Sequence, residues 1–437
     1  MPGARCTLSA AAHEGQAFAS ASSVQRGSSL MSKYSNGLSQ DPASSAAGRE
    51  AAREAERGLS GAVPDAVFVF CTDDHDAPAV LAAVREVFGL VVVAGCSAPG
   101  VFSQGRIVLS GVSVTACSDS GLSVQPAMVA GLANGGSVDG GAKATERALA
   151  LLEEEGSDAG GDTAVMVLLS DGIAGNSVEV VRGAVDVLGR EIRLVGGGAG
   201  DNLKFEMAHQ FCNDAASSES ALAIGIAARD PIGVALRHGC APASAPMQVT
   251  GVAGRAVTAL DFGSAFERYR EAARGLGIED LDRDNFTQFA MLHPLGLVQA
   301  QGDHVLRSPL QSGEDGAIHC CSDIPVNALV RLMEGDQASL LSAARDAARA
   351  ATAQLGGRTP AAALVFACIS RGFVLGDDEQ GLSLELRAVR EALGDDVPIF
   401  GCVTFGGFGS LSAGLPQYHS KSINLAVFAE PSVAPAA

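Results

Sequence analysis

Tryptophan is missing from this chain of 437 residues, and only three tyrosines are present. The core must therefore be built from Val, Leu, Ile and Ala, and 47% hydrophobic content is ample for one. Basic charge is also short, with 30 Lys and Arg against 49 Asp and Glu and a formal charge of −19. A nucleic-acid binder needs a basic stripe to displace counterions, and anionic membranes attract basic segments. Neither partner is expected. No apolar run approaches the roughly 20 residues of a membrane helix. No C-x-x-C pair occurs among the ten cysteines, which argues against a zinc ribbon or a thioredoxin-like centre. Several cysteines close apolar runs, as Cys71 and Cys368 do. A free thiol there packs as a small hydrophobe and suits a reducing compartment, the cytoplasm being the expected one.

A phosphate cradle is missing too. Glycine-rich runs such as Pro398–Gly409 invite that reading, but no G-x-x-x-x-G-K-[ST] occurs. A dinucleotide site also needs its glycines to open a helix. Here they follow a strand, and the next segment is again strand-like: Arg106–Ala116, Phe205–Phe211 and Ile423–Phe428. The loops read as strand-to-strand connections, and no cofactor is expected.

What is present is repetition. Ala83-Val-Arg-Glu-Val-Phe-Gly89 leads to Val91-Val-Val-Ala-Gly-Cys96, and Ala388-Val-Arg-Glu-Ala-Leu-Gly394 leads to Ile399-Phe-Gly-Cys402. Between them, Ala184-Val-Asp-Val-Leu-Gly189 leads to Leu194-Val-Gly-Gly-Gly-Ala-Gly200. Each copy reads strand, loop, amphipathic helix, glycine stop, strand, glycine loop. Such crossovers make neighbouring parallel strands. The fold class that follows is α/β, grading into α+β, with mixed sheets built from repeated strand-helix-strand units and helices on the outer faces. The helices Asp336–Leu355 and Ser264–Gly275 read as architectural. Residues 1–61 are Ser- and Ala-rich and read as a disordered tail, a transit-like organellar segment being the alternative.

The motifs Val93–Gly100, Leu168–Asn176, Leu194–Asn202, Cys368–Arg371 and Ile399–Gly407 leading to His419 resemble the FIST family, named from F-box and intracellular signal transduction proteins. The resemblance divides the chain into an N-terminal domain over 62–253, a C-terminal domain over 254–430 and a short tail over 431–437. It implies a sensory, small-ligand-binding module, with amino acids proposed as ligands. Two departures stand out. Gly406-Gly407 replaces the Gly-Glu pair common in the family, and no kinase, cyclase or chemoreceptor segment is recognisable. Output through a partner protein is the expectation.

Ligands of α/β sheets sit at the C-terminal strand ends, which selects the candidates. Arg371 can hold a carboxylate bidentately, unless it is spent on an acid such as Asp201 or Asp377. Asp201 and Asn202 can receive an ammonium group, so a zwitterion matches the set. Ser97, Ser170 and Thr404 offer hydroxyls, Asp171 a further acid, and Gly198, Gly200 and Gly406 give close backbone approach. His419 is placed by position alone. Cys96 and Cys402, with His419 as base, are the alternative thiol-enzyme centre; a scaffold with a vestigial pocket is the third possibility. Asp171 and Asp201 lack the further carboxylates a divalent metal requires.

Overall fold

The computed structural model of the chain describes residues 34–431, other than 119, 158–162, 175, 190–192, 377 and 413. All three expected units are present, each longer than the repeat read from the sequence. The first runs β1 (Tyr34–Ser39), α1 (Ser44–Gly58), β2 (Ala66–Thr72), α2 (Ala77–Phe88), β3 (Val92–Ala98), a hairpin of β4 (Val101–Ser103) and β5 (Arg106–Val108), and β6 (Val112–Cys117). The second runs β7 (Leu122–Ala130), α3 (Ser137–Glu154), β8 (Ala164–Asp171), α4 (Ser177–Leu188), β9 (Arg193–Ala199), a hairpin of β10 (Gln210–Cys212) and β11 (Ala215–Ser217), and β12 (Ser220–Ala228). The third opens with β13 (Ile232–Arg237). An insertion then carries the strands β14 to β22 between residues 241 and 334, with α5 (Ala265–Arg274) and α6 (Phe286–Leu292). The unit resumes with α7 (Gln337–Ala353), β23 (Pro360–Cys368), the short α8 (Gly372–Leu375), α9 (Glu379–Leu393), β24 (Ile399–Thr404), a hairpin of β25 (Gly407–Gly409) and β26 (Gln417–His419), and β27 (Ile423–Ala429).

Each unit makes one mixed sheet, and the three have the same strand order. They read β1-β6-β2-β3-β10-β11, β7-β12-β8-β9-β25-β26 and β13-β27-β23-β24-β4-β5. The crossover strands β2–β3, β8–β9 and β23–β24 pair in parallel and the flanking strands antiparallel. The hairpins are exchanged in a cycle. That of the first unit completes the third sheet, that of the second the first, and that of the third the second. The boundary near residue 253 therefore does not separate two bodies: β13 and β4, from the N-terminal half, pair with β27 and β24 of the C-terminal half.

Alternation along the strands builds the layers. Phe68 and Phe70, Val167 and Leu169, and Leu364 and Phe366 point into one cluster shared by the three sheets. Their neighbours Val67 and Val69, Met166 and Leu168, and Ala363 and Val365 face the outer helix pairs α1–α2, α3–α4 and α7–α9. Strands buried on both faces read as continuous apolar runs. Asp336 caps α7 in a reciprocal box with Ser339.

The recurrent glycine has its explanation inside the strand. Gly95, Gly196 and Gly401 occupy equivalent positions of β3, β9 and β24, with φ of 154°, 143° and 132°. A Cβ there would stand 1.8, 1.9 and 1.9 Å from the carbonyl oxygens of Val69, Leu168 and Val365. Only glycine lets the parallel neighbour come so near.

The tail expectation is corrected over residues 34–58; residues 1–33 lie outside the described residues. β1 pairs with β6 along its whole length, Tyr34↔Cys117 to Ser39↔Val112. The buried face of α1 is Ala47, Ala51, Ala52 and Ala55. An alanine stripe lets helices approach closely yet resembles low complexity in composition, which is why it reads as a tail. Deleting residues 34–61 should remove a sheet edge and uncover α2. The melting temperature is expected to fall by more than about 10 °C, measured by dye-based thermal unfolding.

Candidate functional site

Most of the selected strand-end residues serve the fold. The Arg371 side chain is fully buried and ion-paired with Glu385 of α9. Its Nη atoms also donate to the carbonyls of His238 (3.0 Å), Lys421 (2.9 Å) and Leu340 (3.0 Å). The acid it is spent on is thus Glu385 and not Asp201, Asp377 lying outside the described residues, and the guanidinium has nothing left for a ligand carboxylate. Burial pushes the Glu385 carboxyl up, against the pull of Arg371.

Asp201 is likewise corrected. Its carboxylate accepts from the backbone N–H groups of Lys204 (3.0 Å), Phe205 (2.9 Å) and Glu206 (2.7 Å), so it shapes a loop and does not await an ammonium group. That loop replaces the first half of the expected strand 205–211, pairing being confined to Gln210–Cys212. Asn202 is exposed, and its N–H donates to Asp73. Asp171 accepts from the N–H groups of Ile173, Ala174 and Glu219. Ser97 Oγ accepts from His209 N–H at 2.9 Å, Ser170 Oγ lies 3.0 Å from Ser177 Oγ, and Thr404 is buried with its hydroxyl 3.5 Å from the Ala367 carbonyl. No cluster of His, Cys, Asp and Glu among the described residues could hold a metal. Cys96 and Cys402 are buried with their Sγ atoms 3.8 Å apart, and burial raises the Cys402 thiol. They pack in the interior cluster and present no nucleophile.

The strand ends nevertheless enclose a cavity of about 330 Å³. Gly172 and Ile173 after β8, Asn176 and Ser177 at the start of α4, and Cys368 at the end of β23 with Ser370 beyond it line it. Among the selected residues Gly406 lines it directly. Gly198 and Gly200 act one layer back, since a Cβ on either would strike Phe405, itself part of the wall. The insertion supplies the facing side through Arg255, Met291, Ser308, Leu310 and Cys321. Leu203 and Phe205 line it from the loop held by Asp201, both at positive φ (58° and 56°). Bulky residues in that region are strained and are kept where the surroundings enforce them. Phe205 packs on Phe405, ring centroids 5.4 Å apart. The residues missed from sequence are mainly those of the insertion. Its signal was present, because 241–334 has no counterpart in the other two units.

The lining is polar on this side, and two cations stand behind it. Cys368 Sγ is 3.1 Å from Ser370 Oγ, and Cys321 Sγ is 3.1 Å from Ser420 Oγ. Lys421 Nζ donates to the Ser370 carbonyl at 2.9 Å, and burial with Arg371 nearby pulls its pKa down to about 8. Arg307 donates to the carbonyls of Asp323, Leu306 and Tyr418 and lies over the Tyr418 ring at 5.3 Å. A larger cleft of about 650 Å³, walled by Arg237, Gln299, Gln301 and Gln417, lies at the opposite, N-terminal end of β9. Ligands of parallel strands gather at C-terminal ends, so the smaller cavity is the candidate site.

Two imidazoles respond to this cationic surrounding. Burial and then Arg371 pull His238 down to about 4. Burial and then Arg307 hold His419 well below its ordinary value. Both rings are neutral in the folded chain, and His238 Nδ1 accepts from the Cys240 N–H. Below pH ~6.5 the unfolded chain gains protons that the folded chain refuses. Stability is therefore complete above that pH and is lost as pH falls toward about 4, where His238 itself titrates. The expected slope is up to about 1.4 kcal/mol per pH unit per imidazole. Urea titrations between pH 7 and 4 on wild type and His238→Gln should show a shallower fall in the variant.

A model of the FIST N domain matches residues 65–262, and one of the FIST C domain matches 265–410. No curated protein matches the chain. Among solved structures, cyanuric acid hydrolase from A. caulinodans is similar at 10% identity and a TM-score of 0.33, over 91% of this chain and 100% of that one. PurL from T. maritima complexed with ADP is similar at 13% identity and a TM-score of 0.21, over 90% and 71%. Within the described residues, no helix is long and apolar enough to cross a membrane.

Proposed function

The chain belongs to the FIST family of signal-transduction sensory domains, and from that premise we propose that it binds a small molecule in the 330 Å³ cavity and reports occupancy to a partner protein. The observation that carries this is the wall itself: strand ends from two units, the exchanged third hairpin and the insertion meet around one space. A ligand touching all of them changes their relative free energies, which is what a sensor needs. Amino acids fit the size of the cavity. With Arg371 and Asp201 committed elsewhere, recognition of an amino acid rests on its carboxylate and side chain. The free cysteines suit a reducing compartment.

The test is a thermal-shift panel of amino acids, small carboxylates and nucleotides, with alkylation of Cys321 and Cys368 as a second readout. A ligand in the cavity should raise the melting temperature and slow alkylation of both thiols. Stabilisation without any protection would place the ligand elsewhere. A second reading, thiol-dependent chemistry, is supported by the two cavity thiols each beside a serine hydroxyl. Turnover abolished by Cys321→Ser or Cys368→Ser, with ligand binding retained, would favour it.

A further inference from the structure

We propose that this cavity selects a small organic anion: its lining includes no carboxylate, and the cations Lys421 and Arg307 are buried beneath it without ion-pair partners among the described residues. The inference rests on the sensory reading above and names the ligand class. The chain carries a net charge of −19, yet this wall holds no acid and has two cations behind it. Among the described residues, the hydrogen bonds of both cations go to carbonyl oxygens, and Arg307 also lies over the Tyr418 ring. Lys421 Nζ has its hydrogen bond to Ser370 O, and Arg307 reaches three backbone carbonyls. Carbonyl dipoles solvate such charges without neutralising them, so an anion above Lys421 finds an attraction that no carboxylate cancels, and Asp323 offsets only part of that of Arg307. The carboxylate that acts on Arg307 is that of Asp323, which also accepts from Asn176 Nδ2 at 2.7 Å and does not line the cavity.

Two further features agree in sign. The twelve-residue helix α4 starts at the cavity with Asn176 and Ser177, and a helix N-terminus carries partial positive charge. Ser308 lines the cavity, is 4% exposed, and its hydroxyl has no hydrogen-bond partner. A buried donor without an acceptor is costly, and a ligand oxygen supplies one. The opposite walls, Phe205, Phe373, Phe405, Met291 and Leu310, are apolar. The matching ligand has a carboxylate-like head and an apolar body. An ammonium group would face the two cations with no acid to receive it.

The test uses the full chain and matched compounds on one skeleton: 3-phenylpropionate, 3-phenylpropionamide, phenylalanine and phenethylamine, repeated on the 4-methylpentanoate skeleton. Binding is read by thermal shift and by protection of Cys321 and Cys368 from alkylation. The acid of at least one skeleton should bind about tenfold or more tighter than its amide, and the amine should bind least. Ser308→Ala should weaken the acid by about tenfold without lowering the melting temperature of the free protein, since it removes an unsatisfied group. Lys421→Met, if it folds, should weaken the acid at least as much. Equal binding of acid and amide, or stronger binding of phenylalanine or the amine, overturns the anion inference and leaves the sensory reading standing. If both acids fail to bind, the inference is overturned as well. If no compound of the wider panel protects the two thiols, the sensory reading falls with it.

Discussion

Replacing Arg371 by methionine is expected to cost about 3–5 kcal/mol of folding stability, because it leaves the Glu385 carboxylate buried and uncompensated. The three carbonyls that Arg371 serves lie on three segments, at His238, Leu340 and Lys421, so its loss also orphans acceptors that converge from distant chain positions. The double variant Arg371→Met, Glu385→Leu should recover the part of the loss that comes from the uncompensated carboxylate, while the three orphaned carbonyls remain in both variants. Chemical denaturation of the wild type and the two variants checks this. A single variant as stable as wild type would show that the pair contributes nothing and would reopen Arg371 as a ligand contact.

The second large effect is expected at Gly196. Substitution by valine places carbon where the Leu168 carbonyl oxygen now stands, 1.9 Å away. The strand backbone sits at φ 143°, so neither rotation nor a rotamer change relieves the clash. β8 and β9 must separate, and the cost belongs in the range above about 4 kcal/mol that marks a specific mechanism. Gly189 ends α4 at φ 64°, and nothing lies within 4 Å of where its Cβ would stand. Gly189→Ala should therefore cost only its backbone strain, about 1–3 kcal/mol at ψ −136°. Comparable losses at the two positions, measured by urea midpoint, would contradict the reading of close strand approach.

The architecture was legible where the physics is local. Helix stripes such as Val80, Leu81 and Val84, the capping Asp336, and the glycines after Phe88, Leu188 and Leu393 are set by neighbours in sequence. The parallel pairs followed from them. The exchanged hairpins were not legible, because β4 finds its partner β24 some three hundred residues away, and nothing in Val101-Phe-Ser103 encodes that choice. The site divided on the same line. Of the residues selected at strand ends, Gly406 lines the cavity, and the Cys368–Arg371 motif borders it through Cys368 and Ser370. Arg371 was misassigned because Glu385, its acid, lies fourteen residues on in α9, and only the fold brings the two together. The facing wall comes from an insertion whose sequence carries no strand-end signature.

The most direct measurement of the central claim is a crystal structure of the protein soaked with the strongest hit from the thermal-shift panel. The account predicts ligand density in the 330 Å³ cavity, with a polar head within hydrogen-bonding distance of Ser308 or of the Asn176–Ser177 helix start, and an apolar part against Phe405. Density in the larger cleft beside Gln299 and Gln301, with the smaller cavity unchanged, would contradict it.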